Sequence, residues 1–228
     1  MVVPAGLKGS VHDGGRSGRF IAGTVATFRL PMTLAAATAR RPASHRDWLR
    51  SSTRAAHERV DARFSRFDLT TRHGYHRFLL AHHAVLPALE LRLAASGAAA
   101  LLADWPTRLR APALAADLRQ FGGALPVLGD GAPPLSPPAA FGMMYVLEGS
   151  RLGGAVLARR VLGNDDPGCR TATSYLRHGE RLGLWASFVA AFDASDTVRD
   201  NRDEVVAAAR DAFDLFVHAA DASPGDPR

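Results

Sequence analysis

The sequence has one cysteine in 228 residues, Cys169, which excludes an internal disulfide. A single unpaired thiol is typical of proteins in a reducing compartment, so we expect a cytoplasmic protein. No stretch of about 18 uncharged apolar residues is present, and no membrane span is expected. Strand-like alternation does not persist anywhere, whereas long helical patterns do. The sequence therefore predicts an all-α protein.

Acidic residues are almost missing from the first 46 positions, which hold one aspartate against seven basic residues. The whole chain has 28 basic and 22 acidic residues and a formal charge of +6, so 21 of each sign remain after residue 46. The basic excess thus lies in a tail, and we expect no nucleic-acid binding. Residues 1–44 lack periodicity, which favours a disordered extension or an over-long gene start, with an organellar transit peptide as the weaker alternative.

Apolar residues at helical spacing organise the rest of the chain into one predicted helical domain, residues 45–220. The predicted helices cover 45–64, 74–95 with a kink at Pro87, a segment after Pro106, 141–161, a segment from Leu184, and 196–220. Prolines and glycines predict a loop over 121–138. Residues 221–228 are expected to fray.

The helix predicted over 141–161 contains three glycines, Gly149, Gly153 and Gly154. Each interior glycine costs about 1 kcal/mol relative to alanine, so a compensating role is needed. One interpretation is close packing against another helix. The other is a bend with a bare face on which a large flat ligand lies, because Gly149 and Gly153 are four residues apart and share a side of the helix.

A histidine in the first helix is the candidate metal ligand. His57 has Asp61 four residues later on the same helix face. A metal-bound imidazole usually donates its second N–H to a carboxylate, a carbonyl or water, and Asp61 could accept that bond directly or through water. The histidines at 73, 76, 82 and 83 lack the i, i+4 spacing of a helical zinc site, so we interpret them as surface or packing residues.

Two segments together resemble the heme oxygenases that produce biliverdin. Leu49–Phe64, LRSSTRAAHERVDARF, resembles the proximal helix of that family, and Phe141–Gly154, FGMMYVLEGSRLGG, resembles the distal helix. The closest similarity is to the bacterial branch often paired with bacteriophytochromes. This resemblance implies a single-domain helical bundle in which a glycine-kinked distal helix covers heme.

The resemblance also implies roles for particular residues. His57 would bind the heme iron, and the distal wall would consist of Gly149, Gly153 and Gly154. Ser150 stands where many members carry an aspartate that organises water, which leaves the source of protons open. Other candidates for the pocket are Asp61 beside the ligand, Tyr145 on the distal helix and Arg210, a basic residue expected near a heme propionate. Arg54 is a further candidate for a propionate, whereas Arg177 and Arg181 are interpreted as surface charges.

The implied activity is cleavage of heme, which is both substrate and cofactor, to biliverdin, CO and Fe(II). The reaction would use O2 and electrons from a ferredoxin or a reductase, and a bacteriophytochrome is a candidate acceptor of biliverdin. An alternative is a sensor or carrier of the same fold that binds heme or a bilin without turnover. A weaker alternative is a related helical bundle of the thiaminase or quinone-cofactor type.

Overall fold

The structure is a computed structural model that describes residues 44–122 and 132–223. These residues form helices and no strands, as the sequence predicts. In chain order the helices are α1 His45–Phe64, α2 Arg72–His83, α3 Leu86–Ala95, α4 Ala98–Leu101, α5 Trp105–Arg108, α6 Ala111–Arg119, α7 Pro137–Val161, α8 Pro167–Thr171, α9 Ser174–Arg177, α10 Leu184–Asp193, α11 Asp196–Asp200 and α12 Arg202–Ala222.

Helix α1 has the bounds that the sequence predicts. The side chain of Ser44 caps it by accepting a hydrogen bond from the backbone N–H of Asp47 at 3.1 Å. Leu49, Thr53 and Ala56 are buried on its inner face. That face packs chiefly against α12, so the position of His57, the next residue, is set by the contact between α1 and α12.

The segment predicted as one kinked helix over 74–95 is two helices. The side chain of Thr71 caps α2, and the helical pattern breaks at Ala84–Val85, just before Pro87 at the start of α3. Proline lacks the N–H that a continuous helix requires, which explains the break. Residues 72–95 together have the length and hydropathy of a membrane span, but half of that window is buried inside the bundle, as expected for core helices.

Helix α7 begins at Pro137, four residues before the predicted start, and runs as one helix through all three glycines. The side chain of Ser136 caps it, and prolines suit the first turn because their missing N–H would have no helical partner there. Residues 123–131 of the predicted loop lie outside the described residues.

Helix α7 packs most extensively on α12, the last helix. The predicted helix over 196–220 is divided at Asn201 into α11 and α12, and α12 continues to Ala222. Asp221 in its last turn accepts hydrogen bonds from Arg63 in the last turn of α1 and from Arg66 just after it. The predictions for residues 1–43 and 224–228 concern parts of the chain outside the described residues.

Gly142 makes the close approach of α7 to α12 possible. A Cβ at this position would collide with the carbonyl oxygen of Val205 on α12. By contrast, a Cβ at Gly153 of the same helix would meet nothing within 4 Å. Gly142→Ala should therefore lower the free energy of unfolding by about 1–3 kcal/mol, because two packed helices must move apart.

Urea unfolding of the protein without added ligand measures this difference. The control is Gly153→Ala, which should be neutral or stabilising by up to about 1 kcal/mol because alanine favours the helix. Equal effects of the two substitutions would contradict the assigned packing.

Candidate active site

A cavity of about 1170 Å³ opens between α1 and α7. This volume exceeds the range of about 300–1,000 Å³ that is usual for drug-sized ligands. Helix α1 supplies one wall and α7 another, and aromatic residues from the remaining helices close the space between them: Phe78, Tyr175, Trp185, Phe213 and Phe216. The cavity is large, mostly apolar and partly open to solvent, which suits a large flat ligand.

His57 lines the cavity from α1. Its Nδ1 lies 3.0 Å from Oδ2 of Asp61, so the carboxylate accepts directly from the ring and no bridging water is needed. Because Nδ1 is the donor in that bond, Nε2 is the nitrogen available to a metal. The ring also meets Phe213 edge to face, at a centroid distance of 5.7 Å, which orients it further. The His57–Asp61 pair thus has the arrangement of an oriented metal ligand.

Gly149 and Gly153, which we call the glycine wall, line the cavity from α7. A Cβ on Gly149 would lie 3.6 Å from the Trp185 ring, and a Cβ on Gly153 would project into open space. Gly154 lines the cavity as well, but its Cβ would collide with the carbonyl oxygen of Leu176. Close helix packing is therefore confirmed for Gly154, and Gly149 and Gly153 expose backbone to the cavity, whereas the bend and the flat ligand stay predictions.

Ser150 also lines the cavity, but its hydroxyl is already engaged. It donates to the carbonyl oxygen of Leu147 at 2.7 Å and accepts from Nη2 of Arg110 at 3.0 Å. The same Arg110 nitrogen donates to Leu147 at 2.8 Å. A hydroxyl has one proton to donate, so Ser150 anchors α7 to Arg110. It does not present the free carboxylate of an aspartate at this position.

A buried ion cluster that the sequence analysis missed lies behind the glycine wall. Glu148 is 1% exposed and binds Nη1 of Arg108 at 2.6 Å and Nε of Arg151 at 2.9 Å. Arg108 also bonds to Asp104 and to Ser187 on α10. The sequence feature that could have revealed the cluster is Glu148 itself, the one acidic residue of α7. An acidic side chain inside a mostly buried helix is seldom tolerated unless it is paired with a cation.

Two polar residues predicted for the pocket, Tyr145 and Arg210, differ in whether they line the cavity. Tyr145 lines the cavity beside Trp185, and burial raises the pKa of its hydroxyl. Arg210 does not line the cavity, and its guanidinium donates to the carbonyl oxygen of Ser52 on α1. The arginines of α1 that do line the cavity are Arg46, Arg50 and Arg54. The prediction of Arg210 followed the family pattern alone, whereas the i, i+4 spacing of these three was visible in the sequence.

His82 packs against the rings of Phe64 and Phe78, as expected for a packing residue, and it also lines the cavity, which the sequence analysis did not predict. Burial lowers the pKa of its imidazole to about 4. Within residues 44–122 and 132–223, no three histidine, cysteine or acidic side chains come together as a metal site. His178 lines the cavity as well, and burial together with the nearby Arg151 lowers its pKa.

Known proteins share this architecture. The family model described as heme oxygenase matches residues 129–221. A heme oxygenase of Xanthomonas campestris pv. campestris is 36% identical over 154 residues, which cover 66% of this chain and 92% of that protein. Heme oxygenase PigA of Pseudomonas aeruginosa is 29% identical over 187 residues, or 77% of this chain and 93% of that one. The solved structure of NO- and CO-bound heme oxygenase from Neisseria meningitidis superposes with a TM-score of 0.66 at 22% identity, covering 78% of this chain and 91% of that one.

The fold and the cavity define an all-α protein with one oriented imidazole on one wall and bare helix backbone on another. The similarity in sequence, which extends over nearly the whole length of the Xanthomonas relative, gives the family. The chain belongs to the heme oxygenase family.

The buried ion cluster generates a stability prediction. Glu148→Gln leaves Arg151 without a counter-charge in the protein interior and leaves Arg108 with Asp104 alone, so the free energy of unfolding should fall by about 3–5 kcal/mol. The matched control is Glu58→Gln. It removes an exposed partner of Arg54 and should change stability by less than about 1 kcal/mol.

Denaturant unfolding near neutral pH compares the two variants. If Glu148→Gln lowered the free energy of unfolding as little as Glu58→Gln does, the ion cluster would not be what holds α7 in place.

Proposed function

We propose that this protein is a heme oxygenase that binds heme between His57 and the glycine wall and opens it to biliverdin, CO and Fe(II), using O2 and external electrons. The observation that carries this proposal is the cavity of about 1170 Å³, which has an oriented imidazole on one wall and side-chain-free backbone on the other. Membership of the heme oxygenase family supports the same activity.

The residues of the cavity fit heme. His57 would offer one nitrogen ligand, which suits an iron that is already held by the porphyrin nitrogens. A side chain at Gly153 would occupy space that the backbone leaves open, so the glycine permits a flat ring to lie against α7. Phe213 and Trp185 provide aromatic surface at the flanks.

Heme, when bound, supplies both the iron that binds O2 and the ring carbon that is oxidised. The protein residues control what surrounds that carbon. Asp61 accepts from Nδ1 of His57 and keeps the ring in one tautomer and orientation. Gly149 and Gly153 place no acid or base side chain on their wall, so protons must come from another part of the cavity. Trp185, packed near Gly149, limits the space beside that wall.

The heme propionates require cations at the cavity opening. Arg46, Arg50 and Arg54 follow each other at four-residue spacing along α1 and line the cavity, so they present one row of positive charge. Arg54 is held by Glu58 at 2.8 Å, and Arg46 lies 3.7 Å from Asp47. Within the described residues no ion pair is recorded for Arg50, which makes it the arginine most available to a carboxylate.

The supply of electrons and the fate of the product follow from the same proposal. A ferredoxin or a reductase would deliver electrons, and a bacteriophytochrome is the proposed acceptor of biliverdin because FGMMYVLEGSRLGG resembles the branch that accompanies those photoreceptors. A reducing cytoplasm is the proposed location, since the single cysteine, Cys169, is a free and buried thiol.

Turnover of added hemin tests the function and the ligand together. In the wild-type protein, ascorbate or reduced ferredoxin should bleach the Soret band and produce biliverdin absorption and CO. His57→Ala should change the ferric spectrum and abolish turnover, because the iron loses its protein ligand. Added imidazole should partly restore the spectrum by filling the same position.

The control for this test is His76→Ala, which removes a histidine that stacks on Phe121 and does not line the cavity. It should behave like wild type. An unchanged spectrum in His57→Ala would refute the ligand assignment, and a stable Soret band in wild type under reducing conditions would favour a binding module without turnover.

The row of arginines gives a second prediction. Arg50→Ala should weaken hemin binding about tenfold, as expected for losing one charge-assisted bond to a propionate. Arg210→Ala should leave hemin affinity within about twofold, since Arg210 donates to Ser52 away from the cavity. Absorbance or fluorescence titration with hemin measures both affinities, and the reverse order would restore Arg210 as the propionate ligand.

A further inference from the structure

Arg110 is a buried cation that lines the cavity without a carboxylate partner. The residue is 4% exposed and precedes α6 directly. Its Nη2 donates to the carbonyl oxygen of Leu147 at 2.8 Å and to the hydroxyl of Ser150 at 3.0 Å. Both acceptors are neutral, and within the described residues no ion pair is recorded for Arg110. Arginines are seldom fully buried unless they are paired, so this one needs a counter-charge.

The buried carboxylates near Arg110 are occupied by other partners. Glu148 is bound by Arg108 and Arg151. Glu90 accepts from the backbone N–H groups of Arg110 and of the next residue, at 2.8 and 3.0 Å, and so caps the start of α6. Burial raises the pKa of Glu90, although these two bonds and the charge of Arg110 lower it in part. Both carboxylates are thus used on groups other than the guanidinium of Arg110.

Two donor groups are left over beside each other in the cavity. Nε of Arg110 is buried without a hydrogen-bond partner, and within the described residues none is recorded for its Nη1. The guanidinium lies 5.3 Å from the ring centroid of Tyr175, which also lines the cavity. Among the described residues no hydrogen bond is recorded for the Tyr175 hydroxyl either, although a buried tyrosine usually finds a partner. Neighbouring donors that lack acceptors, one of them charged, suit an anion.

The positive charge of Arg110 is felt by other groups of the cavity. Burial is the main cause of the lowered pKa values of His82 and His178, and the charge of Arg110 adds to it in both, for His178 after that of Arg151. Both imidazoles line the cavity. The charge of Arg110 is therefore not neutralised by the protein, and the potential around it attracts anions.

We propose that the Arg110 guanidinium and the Tyr175 hydroxyl form a binding site for a small monovalent anion of the size of chloride. The anion neutralises Arg110 and accepts from both donor groups. The site lies next to the glycine wall, because Arg110 also holds Ser150, the neighbour of Gly149. It is a property of the protein without heme, so it does not depend on the proposed function.

Titration of the wild-type apoprotein with sodium chloride, at an ionic strength kept constant with sodium gluconate, tests the site. The readout is the ¹H–¹⁵N resonance of the Nε–H group of Arg110. It should shift and saturate at millimolar chloride, as expected for a few charge-assisted hydrogen bonds less the cost of dehydrating the anion. The Nε–H groups of Arg108 and Arg151 are internal controls, because they donate to Asp104 and Glu148. Their resonances should not move.

A pair of tyrosine variants tests the second donor. Tyr175→Phe removes the hydroxyl and keeps the ring, and it should weaken chloride binding about fivefold, the effect of one hydrogen bond of ordinary net strength. The variant should fold, since no hydrogen bond of that hydroxyl is recorded within the described residues. The matched control is Tyr75→Phe, because Tyr75 donates to the carbonyl oxygen of Ala172 and does not line the cavity. It should bind chloride like wild type.

Three results would each overturn the proposal. The first is the lack of a saturable shift of the Arg110 resonance, and the second is an equal shift of the Arg108 and Arg151 resonances. The third is a Tyr175→Phe variant that binds chloride as tightly as wild type. None of these measurements uses heme or turnover, so they judge the anion site separately from the proposed function, which the turnover of hemin judges.

Discussion

The arrangement of the cavity depends on one buried carboxylate, that of Glu148. Two arginines share it, Arg108 from α5 and Arg151 from the next turn of α7, and Arg108 also reaches Ser187 on α10. Buried charges are tolerated only when they are paired and hydrogen-bonded, so these partners fix each other. The cluster lies directly before Gly149. It thereby holds in place a stretch of helix that has few side chains of its own with which to pack.

Around this anchored helix the lining of the cavity has two different parts. One part carries the arginines of α1, of which Arg54 is largely exposed, so charged ligand groups there can remain partly in water. The other part is aromatic, with His82 as a polar member. A ligand with carboxylates on one edge and an apolar opposite edge matches that asymmetry, and heme has this shape and polarity. In the proposed complex, charge would set the orientation of the ligand and aromatic surface would supply most of its contact area.

Much of the fold was predictable because it depends on local chemistry. The bounds of α1 followed from a serine cap and an apolar stripe, and the break before α3 from Pro87. The His57–Asp61 pair was predictable for the same reason, since four-residue spacing on a helix places side chains together. The early start of α7 was missed because the prolines at 137 and 138 suit a helix start as well as a loop.

What could not be predicted depends on contacts between distant segments. Nothing local shows that Gly154 faces Leu176 while Gly153 faces open space, although the two are neighbours. Likewise, the sequence does not reveal that Ser150 is held by Arg110, forty residues earlier, or that His82 belongs to the cavity whereas His83 does not. These assignments required the tertiary arrangement of α2, α6, α7 and α9.

A crystal structure of the ferric heme complex tests the central claim most directly. The account predicts that Nε2 of His57 binds the iron while Nδ1 stays on Asp61, and that the porphyrin lies against the backbone of Gly149 and Gly153 with its propionates towards Arg50. Iron bound by another residue, or heme placed outside the space between α1 and α7, would contradict it.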